Sequence, residues 1–383
     1  MNFSVKKIIY QIHLWLGIAS GLIVFIIAVT GCIYVFSEDI KSLVYKDRRE
    51  ISVPENGQLL PMSQLLNTAD SSIHFQYPCQ SITIPQDSNN SIAFTYRTFR
   101  EDAFGYHRYM EFYKTVYINP YSGDVIKVEN TKWEFFNVNL WIHLNLLLGY
   151  NHFSHTLIVW SMWIFVFMMI SGLILWWPRK NQRKQSFSFR WNERTRWKRK
   201  NYDLHKILGF YVVAIGLLFA LTGLLWASES FNKSVKWIAN GGDIVTEKKS
   251  PHLANHLPAL SPLDSAISQA KLISPGYRWI FIRLPQDTIR PYSVRAYPHE
   301  YLNYKRIVYY FDQKTAQLTD TETFSEKNNG DKIQALNYDL HVGTIGGLPT
   351  KILAFLASLI IASLPVTGFL LWWGRKFKTF SRR

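Results

Sequence analysis

The chain is poor in cysteine and in charge, and it lacks the phosphate loops of nucleotide enzymes. Two cysteines among 383 residues, Cys32 and Cys79, cannot build a disulfide framework or a cysteine-rich metal site. Cys32 lies inside an apolar run, which argues against a disulfide between them. There is no GxGxxG after a strand, no Walker loop, no HExxH and no nucleophile elbow. Nicotinamide and flavin therefore have no recognisable seat, and any reducing equivalents must come from a partner or a quinol. Charged residues are only 18% of the chain, against 48% apolar and 16% aromatic, which excludes disorder, a collagen-like repeat and a coiled coil. The mean hydropathy of −0.05 is that of an ordinary soluble protein, but the average hides how the uncharged residues are grouped.

They form four long runs. Residues 8–37, 135–178, 207–228 and 352–374 contain no Asp, Glu, Lys or Arg. About 20 apolar residues cross a bilayer core, so the runs predict transmembrane helices at 1–37, 151–177, 204–228 and 350–373. The second run is too long for one helix, and 134–150 reads as a separate interfacial helix with a counterpart at 333–349. Both are expected to break at glycine, at Gly149 and at Gly346-Gly347. Trp176-Trp177 and Trp372-Trp373 precede Arg179-Lys180 and Arg375-Lys376, the order of a membrane interface with cations just outside it. The first run is too long for a signal peptide, and no small-residue cleavage site follows it.

Charge sets the expected orientation. Residues 1–10, the loop 178–203 and the tail 374–383 hold seventeen of the 43 basic residues and two of the 27 acidic ones, or +15 of the net +16. The positive-inside rule puts both termini and that loop in the cytoplasm and the segments 38–133 and 229–332 outside. Anionic lipid accounts for the basic surface, and no nucleic-acid partner is implied.

The chain is also a duplication. His13, Gly17 and Thr30-Gly31 match His205, Gly209 and Thr222-Gly223. Ser171-Gly172 and Trp176-Trp177 match Thr367-Gly368 and Trp372-Trp373, and His143 matches His341. Outside the spans, Ile84-Pro85-Gln86-Asp87 matches Leu284-Pro285-Gln286-Asp287. Tyr117-Ile118-Asn119 with Ser122-Gly123 matches Tyr310-Phe311-Asp312 with Thr315-Ala316. Helical stretches near 61–70 and 262–272 precede alternating runs at 81–85, 91–99, 110–118, 278–284, 291–297 and 305–311. The fold class is thus a mixed membrane protein: four transmembrane helices in two tandem repeats, related by a pseudo-twofold along the membrane normal, with two outward α+β lobes.

Four histidines obey the repeat, as the pairs His13/His205 and His143/His341. Two imidazoles at one depth between packed helices suit an iron porphyrin held through both axial positions. Gly17 and Gly209 lie one turn from their histidines on the same helical face and leave room for a flat macrocycle. Taken singly, an interfacial histidine is more often an anchor or a cap; the repeat relation is what lifts these four. A zinc site wants four close ligands. His152 and His155 have no counterpart in the second half and read as interfacial polar residues or as replacement ligands. His74, His107, His252, His256 and His299 read as surface residues.

These marks together, the H-x3-G…TG spans, the SG/TG-x4-WW ends and the Asn119-Pro120…Gly123 element, resemble the PepSY-associated transmembrane family of iron-regulated membrane proteins. The resemblance covers nearly the whole chain. It implies two PepSY-like lobes in the periplasm and a multi-pass protein of the bacterial inner membrane. It also implies two b-type haems on His13, His205, His143 and His341, and reduction of a ferric siderophore with electrons from a quinol or a cytoplasmic reductase. Ala316, where the pattern has Gly, departs from it in the second lobe. Two other readings stay open: a PepSY-type binding module or siderophore permease without haem, and a b-type electron carrier that serves another periplasmic reductase.

Overall fold

The computed structural model describes residues 3–178, 186–243, 261–298 and 302–376. His252, His256, His299, the chain end from 377 and residues 179–185 of the basic loop lie outside them. In chain order the principal helices are α1 (Phe3–Val35), α2 (Met62–Ser72), α3 (Phe135–Asn145), α4 (His152–Trp176), α5 (Trp197–Ala227), α6 (Pro262–Ile273), α7 (Asn329–Val342) and α8 (Leu348–Lys376). The strands are β1 (Ser81–Pro85), β2 (Ile92–Phe99), β3 (Met110–Ile118), β4 (Val125–Glu129), β5 (Trp279–Arg283), β6 (Tyr292–Tyr297), β7 (Ile307–Phe311) and β8 (Leu318–Glu322). They fall into two compact units, one of residues 1–36, 139–232 and 340–383, the other of residues 37–138 and 233–339.

The first unit is a four-helix bundle. α1, α4, α5 and α8 are each long and apolar enough to cross a membrane. α1 packs on α4 and α8, and α5 packs on the same two helices. Small side chains let the backbones approach: Ala28, Ala357 and Ala362 are buried at the centre. Bulky apolar side chains such as Leu22, Trp160 and Leu359 face outward, an arrangement that lipid stabilises and water does not. α5 begins seven residues before the expected 204, because the run Trp197–Asp203 is helical despite its charge, and a π-helical turn, Leu204–Leu208, joins it to the apolar part.

In the second unit the strands expected for the two lobes share one sheet. All eight strands form one antiparallel sheet in the order β4-β3-β2-β1-β5-β6-β7-β8. The seam is β1 on β5, with Ile82 opposite Ile282 and Ile84 opposite Ile280. Each half alone would leave β1 or β5 as an unpaired edge, and joining them removes both edges. α2 and α6 cover one face, where Leu65, Ala69, Ala266 and Ala270 meet Ile82, Phe94, Ile282 and Phe311. Cys32 and Cys79 are both free and buried.

Candidate histidine site in the helix bundle

α3 and α7 start where polar side chains cap them. Glu134 accepts the N–H groups of Phe136 (2.8 Å) and Asn137 (2.7 Å) at the head of α3. Asn328 accepts that of Asp331 (2.9 Å) at the head of α7. α3 stops at Asn145, after which Leu146, Leu147 and Gly149 all take positive φ. α7 ends at Val342, where Gly343 turns the chain with φ +84°. That stop leaves Gly346 in a short 3₁₀ turn before α8. α3 and α7 carry His143 and His341 in their last turns. His13 sits in α1, and His205 sits within the π turn of α5. Such turns are rare and cluster at functional positions.

Each half-buried histidine meets a different Ser/Thr-Gly pair. His13 Nδ1 lies 2.8 Å from Ser171 Oγ, His205 Nδ1 2.9 Å from Thr367 Oγ1, and His341 Nδ1 2.7 Å from Thr222 Oγ1. His143 Nδ1 lies 2.9 Å from the Ile27 carbonyl and 3.3 Å from Thr30 Oγ1. The glycine after each hydroxyl leaves room for the ring. A Cβ on Gly31, Gly172, Gly223 or Gly368 would stand 3.2, 3.4, 3.8 or 3.2 Å from the Cε1 of His143, His13, His341 or His205.

These contacts fix the tautomer. Each hydroxyl has one proton, and it goes down its own helix: Ser171 donates to the Phe167 carbonyl, Thr222 to Leu218, Thr367 to Ser363 and Thr30 to Ile26. The oxygen can then only accept from the imidazole, so Nδ1 carries the hydrogen and Nε2 keeps its lone pair. A metal-binding histidine needs the same division of labour, with the second nitrogen held by a hydrogen bond that orients the ring.

One repeat-related pair of histidines is in contact. His143 and His341 have ring centroids 6.1 Å apart with planes at 68°. Two imidazoles bound through Nε2 to opposite sides of one metal at about 2 Å would have centroids about 6.3 Å apart. No group of three or more His, Cys, Asp or Glu gathers among the described residues. The His143/His341 pair would supply two imidazole nitrogens to a metal whose remaining positions its own macrocycle fills, as a porphyrin does. The donor set fits haem.

Gly17 faces Met168, whose methyl carbon is 2.9 Å from a Cβ built there, and Gly209 faces Leu364 at 3.7 Å. Both glycines therefore border neighbouring helices of the bundle. His152 and His155 are exposed at the head of α4, and His155 Nε2 is bonded to the Ala227 carbonyl at 2.8 Å.

One set of positions escaped the sequence reading. An asparagine precedes three of the histidines by one turn: Asn139, Asn201 and Asn337, all buried. Asn139 donates to the Thr30 carbonyl (3.0 Å) and Asn201 to that of Thr367 (3.1 Å). Each ties the histidine-bearing segment to the Thr-Gly step its histidine uses. The N-x3-H spacing was visible in the sequence; position 9 breaks it with Ile9.

A comparison with curated proteins gives no match. The profile of the PepSY-associated TM region matches residues 10–375, a stretch that includes all four histidines and all four Ser/Thr-Gly pairs, and the chain is a multi-pass membrane protein of the PepSY-associated transmembrane family.

Proposed function

We propose that this protein is a di-haem reductase of the bacterial inner membrane that delivers electrons to a ferric siderophore in the periplasm and releases Fe(II). The observation that carries the reading is the set of four repeat-related histidines, each with Nδ1 beside a Ser/Thr hydroxyl, together with the 6.1 Å approach of the His143 and His341 rings. Haem, when bound, supplies one-electron carriage. The chain contributes four imidazoles of fixed tautomer, a glycine beside each ring, and a bundle that keeps water away. Reduction releases iron because hard oxygen donors hold Fe(III) far more tightly than Fe(II). In this reading His13 and His205 lie toward the cytoplasmic donor, a quinol or a reductase, and His143 and His341 toward the acceptor.

The purified protein should carry two low-spin haems per chain, measured by a pyridine-haem assay and an optical spectrum. H13A or H205A should remove one, and H143A or H341A the other. Protein that binds no haem would point to an anchored binding module or a permease. Haem-loaded protein that reduces no ferric chelate but reduces a periplasmic protein would be an electron carrier.

A further inference from the structure

The sheet has two unlike faces. Partners across an antiparallel ladder point to the same side, so Ile82, Ile282, Phe94 and Val294 share the face under α2 and α6. Ser81, Thr95, Arg283 and Ser293 share the other, and by the two-residue period so do Arg97, Phe281 and Arg295. Three arginines from β2, β5 and β6 therefore stand on one face, on both sides of the β1–β5 seam.

These arginines have few ways to offset one another's charge. None forms an ion pair with a carboxylate among the described residues. Arg295 Nε is buried and has no hydrogen-bond partner. Burial first, then the charges of Arg295, Arg97 and Arg290, hold the Arg283 guanidinium below the usual arginine range. The Arg97 guanidinium lies over the Phe99 ring (5.5 Å) and that of Arg295 over Phe281 (5.7 Å), which limits how far either can swing away. Arg283 is exposed, and the other two are half-buried. Like charges held together with an unsatisfied donor are costly unless an anion completes them, and a planar guanidinium matches a carboxylate in shape.

We infer that this face docks an anionic ferric chelate, one whose iron is held by carboxylate or catecholate oxygens, with Arg97, Arg283 and Arg295 as the groups that recognise it. The inference rests on the reading of the protein as a ferric-chelate reductase and narrows its substrate class. A neutral trihydroxamate has no net charge for these arginines to meet.

Equilibrium dialysis of the full-length protein in detergent, with radioiron-labelled ferric citrate and ferrichrome as probes, tests it. Ferric citrate should bind more tightly than neutral ferrichrome. R283Q and R295Q should each weaken ferric citrate roughly tenfold to a hundredfold and leave ferrichrome unchanged. R283K, which keeps the charge but not the planar fork, should bind ferric citrate more tightly than R283Q, so that loss of charge is separated from loss of fold. Unchanged affinity for ferric citrate in an R97Q/R283Q/R295Q protein would overturn the inference. So would ferrichrome or iron-free citrate binding as tightly as ferric citrate. Dialysis needs no electron flow. Arginine-dependent binding without reduction would remove the reductase reading and leave the docking face. Reduction by the triple variant at the parent's rate, with unchanged binding, would do the reverse.

Discussion

A single hydroxyl decides what each histidine can do. Thr367 accepts from His205 Nδ1 at 2.9 Å while its own proton goes to the Ser363 carbonyl. T367V keeps the shape and removes the acceptor. Partners of this kind tune ligand affinity by roughly ten- to a hundredfold. T367V should therefore weaken haem binding at the His13/His205 pair by about that factor and spare the other pair, which haem titration of the purified protein would read. T222V should do the converse. A second residue-scale test concerns Asp312. Burial pushes its pKa up, but the N–H groups of Thr315 and Lys314 and the Thr315 hydroxyl outweigh that and hold it below the usual carboxylate range. A lowered folded pKa contributes stability above the ordinary carboxylate range and loses it as pH falls through the folded value. D312N should unfold more easily than the parent near neutral pH, and the two melting curves should converge in acid. The histidines and the Ser/Thr-Gly steps were legible in the sequence as repeat marks. Their pairing was not, because hydroxyl and imidazole lie 113 to 162 residues apart and only the helix packing joins them.

At the level of elements, the alternating runs located six strands to within two residues. β4 and β8 were missed: Val-Ile-Lys-Val-Glu and Leu-Thr-Asp-Thr-Glu lie at the sheet margins, largely open to solvent, so they carry little of the alternation that burial imposes. The β1–β5 seam was not legible either. Nothing local marks which edge of a four-strand unit will find its twin. The repeat did expose one irregularity that the structure explains. Gly123 and Ala316 occupy equivalent turns, each closed by its N–H on the Asn119 or Asp312 carbonyl (2.9 and 3.0 Å), and both have positive φ, +78° and +56°. The left-handed region costs a non-glycine residue ~1–2 kcal/mol. G123A should lose about that much stability, and its Cβ would also press on Leu60 at 3.2 Å. A316G should change stability by less than ~1 kcal/mol. The strain it relieves is opposed by the loss of a fully buried methyl group, worth ~0.8 kcal/mol. Denaturant unfolding of both variants measures the asymmetry.

On the scale of the whole molecule, orientation follows from where charge was placed. The four spans hold the chain in lipid, but their apolar faces do not distinguish one side of a membrane from the other. The flanks do. Seventeen of 43 basic residues lie in 1–10, 178–203 and 374–383, with only two acids among them, whereas the remaining chain is close to neutral. Short basic flanks resist translocation and outweigh acidic ones in setting topology. Four crossings would put these three segments on one side, because an even number separates each from the next. A reporter fused after Arg383 or within 183–200 should therefore read as cytoplasmic, and one inserted near Gly57 or Asn328 as periplasmic. The 183–200 insertion is the sharper test, since that loop carries the most basic residues, ten of the seventeen. A periplasmic signal from it would reverse the membrane orientation, and with it the assignment of His13 and His205 to the donor side.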